Sequence, residues 1–222
     1  MSKRPKNRPD LVRPGQNAVA SGKDVRLAKL YFTYSAMNAG KSTILLQSAH
    51  NYRERGMKVT LWTSPHVAAD PDGVAMISSR IGLCAEARMF ESQIDLFAAT
   101  QAVHVETPLD AVLLDEAQFL TRAQVWQLSR VADALSIPVL CFGLRTDFRG
   151  KLFEGAAELL GIADSLREIR TICHCGKKAT MTARFGEDGR PQTKGQQVDI
   201  DKEHYVSLCR AHWKETTGLH RD

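Results

Sequence analysis

The sequence has no run of about eighteen apolar residues, so we expect no membrane-spanning helix. It has no apolar segment behind its basic N-terminus, so we expect no secretory signal. Its five cysteines are an odd number, which argues against a disulfide framework and favours a reducing compartment. With 43% hydrophobic and 25% charged residues among 222, the chain is too apolar for wholesale disorder. We therefore expect a cytoplasmic enzyme or binding protein.

Most of the chain also lacks an excess of charge. Residues 1–26 hold seven of the 30 lysines and arginines but only two of the 25 acidic residues, and this difference equals the whole net charge of +5. The same segment contains prolines and glycines and few large apolar side chains, so we predict a flexible basic leader over 1–26. The neutral remainder argues against a nucleic-acid partner.

Short apolar stretches alternate with helical patterns along the next part of the chain. Stretches that are apolar on both faces and separated by helices are typical of a parallel sheet covered on both sides, the doubly wound α/β arrangement. We predict a nucleotide-binding domain of this class over 27–170, and a small metal-binding domain over 171–222, where short β-like pieces surround a cysteine and histidine cluster. The predicted strands are 28–34, 58–63, 111–114 and 137–142, and the predicted helices are 41–55, 87–100 and 122–135, the last capped by Thr121.

The strongest motif lies where the first predicted strand meets the first predicted helix. A phosphate-binding loop needs backbone N–H groups around the phosphates, a lysine that reaches the β- and γ-phosphates, and a hydroxyl for Mg²⁺. Ser35 stands where this motif has its first glycine, so the match depends on Gly40, Lys41 and Ser42. The alternative is a capped turn with a surface lysine. The residues predicted to bind ATP here are Ser35, Ala36, Met37, Asn38, Ala39, Gly40, Lys41 and Ser42.

An acidic pair follows the apolar stretch 111–114. The carboxyl edge of a parallel sheet is where ligands bind, so Asp115 is expected to hold Mg²⁺ together with Ser42. Glu116 is then free to accept a proton from whatever attacks the γ-phosphate, either water or a substrate hydroxyl. An isolated acidic pair would be interpreted as a solvated turn, but the phosphate-loop motif reverses that preference. A helicase is excluded because such motors need two nucleotide-binding domains.

Two ligand pairs in the last quarter predict a zinc site. Cys173, Cys175, Cys209 and His212 offer thiolates and imidazole, and four protein ligands leave no open position, so the zinc would be structural. The alternative is three buried or free thiols.

Taken together, residues 30–42, 115–119 and 143–148 and the terminal Cys/His pairs resemble the type II thymidine kinase family, the bacterial and animal cytosolic kind. The resemblance spans 28–212. It implies a P-loop (RecA-like) fold and transfer of the γ-phosphate of ATP to the 5′-hydroxyl of thymidine or deoxyuridine, in the salvage of DNA precursors. It also implies Mg²⁺, a homotetramer and feedback inhibition by thymidine triphosphate.

The resemblance also implies roles for single residues. Glu116 would deprotonate the 5′-hydroxyl, and Asp115, Glu116, Ala117 and Gln118 would form the second nucleotide-contacting segment. A lasso around Val198 would contact the thymine edge through its backbone. The residues implied to bind the substrate are Met37, Arg80, Phe119, Leu144, Phe148, Phe153, Thr182, Val198 and Tyr205, with Arg80 near the phosphates.

Two rival functions stay open at this point. A P-loop ATPase would hydrolyse ATP to drive a partner, and a zinc-ribbon module would bind nucleic acid. The residues themselves also allow a second interpretation of Phe148 and Phe153, as core contacts of the following helix.

Overall fold

The computed structural model describes residues 28–66, 74–197 and 204–220, so the leader predicted over 1–26 lies outside the described residues. The strands are β1 (Leu30–Ser35), β2 (Val59–Thr63), β3 (Met76–Ser78), β4 (Cys84–Glu86), β5 (Arg88–Met89), β6 (Ala111–Leu114), β7 (Val139–Leu144), β8 (Ser165–Glu168), β9 (Thr171–Ile172), β10 (Lys178–Ala179), β11 (Met181–Phe185), β12 (Pro191–Gln192) and β13 (His204–Leu208). The helices are α1 (Lys41–Glu54), α2 (Leu96–Glu106), α3 (Arg122–Leu135), α4 (Glu154–Ile162) and α5 (Arg210–Thr217), and Ala117–Phe119 forms a 3₁₀ turn.

Six strands form the central sheet in the order β5-β2-β6-β7-β1-β8. Every pairing in this sheet is parallel. All four residues of β6 are buried, as expected for a strand covered on both faces. Because the strands are parallel, the residues that follow β1, β6 and β7 meet at the same carboxyl edge.

Helices cover both faces of the sheet. Leu45 of α1 packs with Leu113 of β6 on one face. On the other face, Leu96 of α2, Val125 of α3 and Leu159 of α4 pack against the strands. The predicted parallel sheet with helices on both faces is thereby confirmed. None of the helices within the described ranges is long and apolar enough to cross a membrane.

Element boundaries follow local hydrogen bonds. Thr121 caps α3 as predicted: its side chain accepts a hydrogen bond from the Gln124 backbone N–H at 3.2 Å, and the Gln124 side chain accepts one from the Thr121 N–H at 3.1 Å. The helix predicted over 87–100 runs instead from Leu96 to Glu106, so the prediction is wrong over 87–95. There, β5 pairs with the end of β2, and the Asp95 carboxylate accepts from Ala98 N–H at 3.0 Å and starts the helix at Leu96.

The chain after the central sheet forms small antiparallel sheets and α5, which together are called the smaller lobe. It contains an antiparallel sheet in the order β12-β11-β13 and a small core that includes Trp213 of α5. The Trp213 indole N–H donates to the carbonyl oxygens of Phe148 at 3.0 Å and Thr182 at 3.1 Å, which joins this lobe to the segment after β7. The domain limits 27–170 and 171–222 stay a prediction.

Candidate active site

The predicted phosphate loop lies between β1 and α1. Gly40 precedes the helix with φ 84°, in the left-handed region that favours glycine. Lys41 begins the helix and is only 7% exposed, and its Nζ donates to Ser35 Oγ at 3.4 Å. The lysine side chain therefore turns back over the loop and approaches its first residue.

The acidic pair meets this loop at the carboxyl edge of the sheet. Asp115 follows β6 and is 3% exposed. The Ser42 hydroxyl donates to Asp115 Oδ2 at 2.6 Å, and Glu116 N–H donates to Asp115 Oδ1 at 3.0 Å. A cavity of about 370 Å³ opens beside them, lined by residues 37–43 and 78–81, Glu116 and Leu144.

Burial and charge perturb the titratable groups of this cavity. Burial lowers the pKa of the Lys41 ammonium, against the attraction of the Glu116 and Asp115 carboxylates, while Arg80 lowers it further. Burial and the charge of Glu116 raise the pKa of Asp115 to about 6, although the Ser42 hydrogen bond and Lys41 oppose this shift. Perturbed groups of both signs in one cleft are typical of a functional site.

The donor atoms beside the loop fit a magnesium ion. Mg²⁺ prefers oxygen ligands and is usually held by one or two carboxylates together with substrate phosphates. Ser42 Oγ and Asp115 Oδ2 are both oxygens and lie 2.6 Å apart next to the phosphate loop. The residues present therefore suit the predicted ion.

The residues after Asp115 have an unusual backbone. Glu116 has φ 53° and ψ 35°, a left-handed conformation that is uncommon for a residue with a side chain. Ala117 and Gln118, predicted to contact the nucleotide, are both buried, at 0% and 1% exposure. The Gln118 amide is bonded within the protein, to the Glu116 side chain and to the Leu144 backbone.

The residues implied to bind the nucleoside do not all lie at the cavity surface. Met37, Arg80 and Leu144 line it. Phe148 and Phe153 are buried, at 2% and 5% exposure.

The three phenylalanines of this set have aromatic or cationic partners. The Phe153 ring meets Phe119 edge to face at 5.7 Å, and Phe119 meets His66 at 4.7 Å. The Arg184 guanidinium covers Phe148 at 3.7 Å from the ring centroid. Val198 lies outside the described residues.

The smaller lobe contacts the tip of the phosphate loop. Met37 N–H donates to Thr182 Oγ1 at 3.3 Å, and the Ser207 hydroxyl donates to Met37 O. The Asn38 side-chain amide donates to Tyr205 O at 3.3 Å. Sequence reasoning missed Ser207, because only the pairing of Thr182 with Ser207 across β11 and β13 brings it here.

The four predicted zinc ligands converge in the same lobe. Their ligand atoms all lie within 4.8 Å of one another. The Cys175 and Cys209 sulfurs are 3.9 Å apart, and His212 Nδ1 is 3.4 Å from Cys173 Sγ and 3.5 Å from Cys209 Sγ. A tetrahedron with metal–sulfur bonds of about 2.3 Å and metal–nitrogen bonds of about 2.0 Å has edges of about 3.8 Å and about 3.5 Å. The cluster therefore fits a zinc ion.

Comparison with known proteins gives matches along most of the chain. A family model described as "Thymidine kinase" matches residues 28–213. A thymidine kinase of Mesorhizobium japonicum is 57% identical over 192 residues, which are 86% of this chain and 94% of that protein. One of Agrobacterium fabrum is 56% identical over 191 residues, 86% of this chain and 98% of that protein. One of Novosphingobium aromaticivorans is 56% identical over 193 residues, 86% of this chain and 100% of that protein.

Among solved structures, the replication initiator DnaA bound to AMPPCP and single-stranded DNA is similar with a TM-score of 0.36 and 17% identity. The match covers 66% of this chain and 42% of that one. A similarity this low carries no argument about function.

Proposed function

The chain belongs to the thymidine kinase family and is an ATP-dependent nucleoside kinase, and from that premise we propose how its own residues phosphorylate thymidine. The observation that carries the proposal is the 2.6 Å contact between Ser42 and Asp115, which joins the phosphate loop and the acidic pair in one cavity. The products are thymidine monophosphate and ADP.

Residues 35–42 bind the phosphates of ATP. The backbone N–H groups that begin α1 face the loop with the positive end of the helix dipole. Lys41 supplies a buried cation, and the phosphates add negative charge that stabilises it beyond the Glu116 and Asp115 carboxylates. Ser42 and Asp115 would hold Mg²⁺, which when bound neutralises charge on the β- and γ-phosphate oxygens.

Glu116 is the general base. It accepts the proton of the 5′-hydroxyl as that oxygen forms its bond to the γ-phosphorus, while the bond from the γ-phosphorus to the bridging oxygen of ADP breaks. Asp115 cannot serve as readily, because the Ser42 hydroxyl already donates to its Oδ2 and the Glu116 N–H to its Oδ1. Glu116 also lines the cavity.

The nucleoside site lies on the side of the cavity that contains Leu144. Met37 and Leu144 supply apolar surface there. Phe119, which meets Phe153 edge to face and lines a neighbouring cavity with His66, belongs to the site as the family resemblance implies. Phe148, Thr182, Tyr205 and the lasso residue Val198 complete the site, as the family resemblance implies. Arg80 lines the cavity beside Lys41 and contacts the phosphates.

The remaining parts of the proposal come from the ligand geometry and the family resemblance. Cys173, Cys175, Cys209 and His212 hold a structural zinc ion that stabilises the lobe over 171–222. The enzyme is a homotetramer, accepts deoxyuridine besides thymidine and is inhibited by thymidine triphosphate.

A transfer assay tests the proposal. The purified protein is incubated with ATP labelled at the γ-phosphate and with thymidine, deoxyuridine, other nucleosides or none. We expect label on thymidine. Free phosphate alone in every reaction would contradict a kinase and favour the ATPase.

A variant tests the role of the base. Glu116→Gln keeps the shape of the side chain but removes its basicity, so we expect kcat to fall about 10²- to 10⁴-fold with ATP binding retained. The matched control is Glu54→Gln on the exposed side of α1, which we expect to leave kcat unchanged. Near-normal turnover of Glu116→Gln would remove Glu116 from the mechanism.

A further inference from the structure

Gln118 is a buried glutamine placed between the proposed base and the sheet. It is 1% exposed and lies in the 3₁₀ turn that follows Glu116. Its Nε2 donates to Glu116 Oε2 at 2.5 Å. Its Oε1 accepts from the Leu144 backbone N–H at 2.9 Å. One amide therefore connects the carboxylate of Glu116 to the end of β7.

The chain leaves room for this glutamine. A Cβ atom on Gly143 would lie 2.8 Å from Gln118 Oε1 and 2.9 Å from Gln118 N, closer than real Cβ atoms approach such groups. The absent side chain at this position of β7 therefore lets the amide reach the Leu144 N–H. Leu144 itself lines the cavity, so Glu116 is anchored to the wall of the site in which it acts.

The strained backbone of Glu116 and its carboxylate are held by different hydrogen bonds. A left-handed conformation is unfavourable for a residue with a Cβ atom and persists only where the surroundings hold it. The Glu116 N–H is bonded to Asp115 Oδ1, which restrains the backbone but not the carboxylate. Within the described residues, the hydrogen bond that restrains the Glu116 carboxylate comes from the Gln118 side chain.

We propose that Gln118 is a positioning residue for Glu116, and this inference rests on the proposed function. The Gln118 side-chain N–H donates to Oε2 of Glu116 and leaves Oε1 of Glu116 to accept the proton of the substrate hydroxyl. A glutamine amide suits this role because it donates without carrying charge or an acidic proton. The family resemblance implied a nucleotide contact for Gln118, whereas its hydrogen bonds assign it to the base.

The first test replaces Gln118 with methionine, which has similar length and no hydrogen-bonding amide. Misplacing a reacting group by about 1 Å can cost about 10²-fold in rate, so we expect kcat to fall by about that factor while KM for ATP stays within about twofold. The proteins are produced in a host that lacks thymidine kinase activity, so that background transfer does not mask the loss.

The chain offers a matched control in Gln124. This glutamine is also 1% exposed, and its Nε2 donates to Glu91 O at 2.7 Å and Ile94 O at 3.2 Å, outside the cavity. We expect Gln124→Met to lower the melting temperature and to leave kcat unchanged. A similar fall of kcat in both variants would overturn the inference, because loss of any buried amide would then explain the result.

The second test combines the substitutions. If Gln118 acts through Glu116, the double variant Gln118→Met, Glu116→Gln is no slower than Glu116→Gln alone. Losses that multiply would overturn the positioning role. If Glu116→Gln keeps its turnover, the proposed base fails and this inference fails with it. If Glu116→Gln is slow and Gln118→Met is not, this inference alone fails.

A third variant covers the case in which Gln118→Met does not fold. Gly143→Ala keeps the amide, but the added Cβ atom would crowd both Gln118 Oε1 and the Gln118 backbone N, so it shifts the amide and its turn away from the Leu144 N–H. We expect a lower kcat, and no further loss when Gly143→Ala is added to Glu116→Gln. Normal turnover of a folded Gly143→Ala enzyme would overturn the inference.

Discussion

Two glycines of α4 differ sharply in their surroundings and allow a matched prediction. A Cβ atom on Gly155 would lie 2.6 Å from Ala117 O, 2.7 Å from Leu120 O and 3.0 Å from Gln118 O. A Cβ atom on Gly161, in the same helix, would meet nothing within 4 Å. Gly155 therefore lets α4 approach the turn after Glu116, whereas Gly161 has no such role.

The expected effects have opposite signs. Gly161→Ala should stabilise the protein by about 0.5 kcal/mol, because alanine loses less backbone entropy in a helix. Gly155→Ala should destabilise it by about 1–3 kcal/mol, because the three contacted atoms are backbone carbonyls that cannot rotate away. A difference of about 2 kcal/mol corresponds to about 4–8 °C of melting temperature for a chain of this size.

Thermal unfolding monitored by circular dichroism measures the difference in melting temperature between the two variants. The transfer assay measures how each substitution affects kcat. Since the contacted carbonyls belong to the turn that follows Glu116, we expect Gly155→Ala also to lower kcat, about tenfold or more. Equal melting temperatures and equal kcat for the two variants would refute the reasoning, because the approach of α4 to the turn would then not matter.

Three further substitutions test other contacts. Cys209→Ser removes a ligand of the cluster and should lower the zinc content below one ion per chain in elemental analysis. Its loss of zinc affinity should exceed the loss of about 10–100-fold that is typical when a residue hydrogen-bonded to a ligand is replaced. Cys84→Ser, away from the cluster, should keep the ion. Ser207→Ala removes the hydrogen bond to Met37 O and should raise KM for ATP about 2- to 10-fold, with Ser48→Ala in α1 as the unaffected control. Thr121→Ala should cost about 1 kcal/mol in urea unfolding without changing kcat.

Much of the fold is readable from local pattern. The strand Ala111–Leu114 and the helix Arg122–Leu135 coincide with their predictions, because a short apolar run and a capped amphipathic helix leave few alternatives. The prediction over 87–100 is wrong over 87–95 because helical spacing alone does not show where the helix begins. There, strand pairing with β2 and the cap at Asp95 decide the outcome.

The site is only partly readable in this way. Motif spacing predicted that Ser42 and Asp115 would meet, because both follow parallel strands at one sheet edge. The roles of Gln118 and Ser207 depend on contacts across 26 and 170 residues of sequence, with Leu144 and Met37. Such pairings depend on strand register and loop geometry, which short sequence windows do not encode.

The Cys/His cluster and the phosphate loop are connected through the small lobe. The ligands lie on both sides of the β11–β13 pairing in the chain, at 173–175 and 209–212, and the buried core between them is small. Because so small a core supplies little stabilisation of its own, we expect removal of the proposed zinc ion to loosen Thr182 and Ser207. Thr182 and Ser207 bond to Met37 of the phosphate loop and not to Glu116, and Thr182 also belongs to the proposed nucleoside site. We therefore expect loss of zinc to raise KM for ATP and KM for thymidine before it affects the chemical step. A Cys209→Ser enzyme with unchanged KM for ATP and lowered kcat would contradict this coupling.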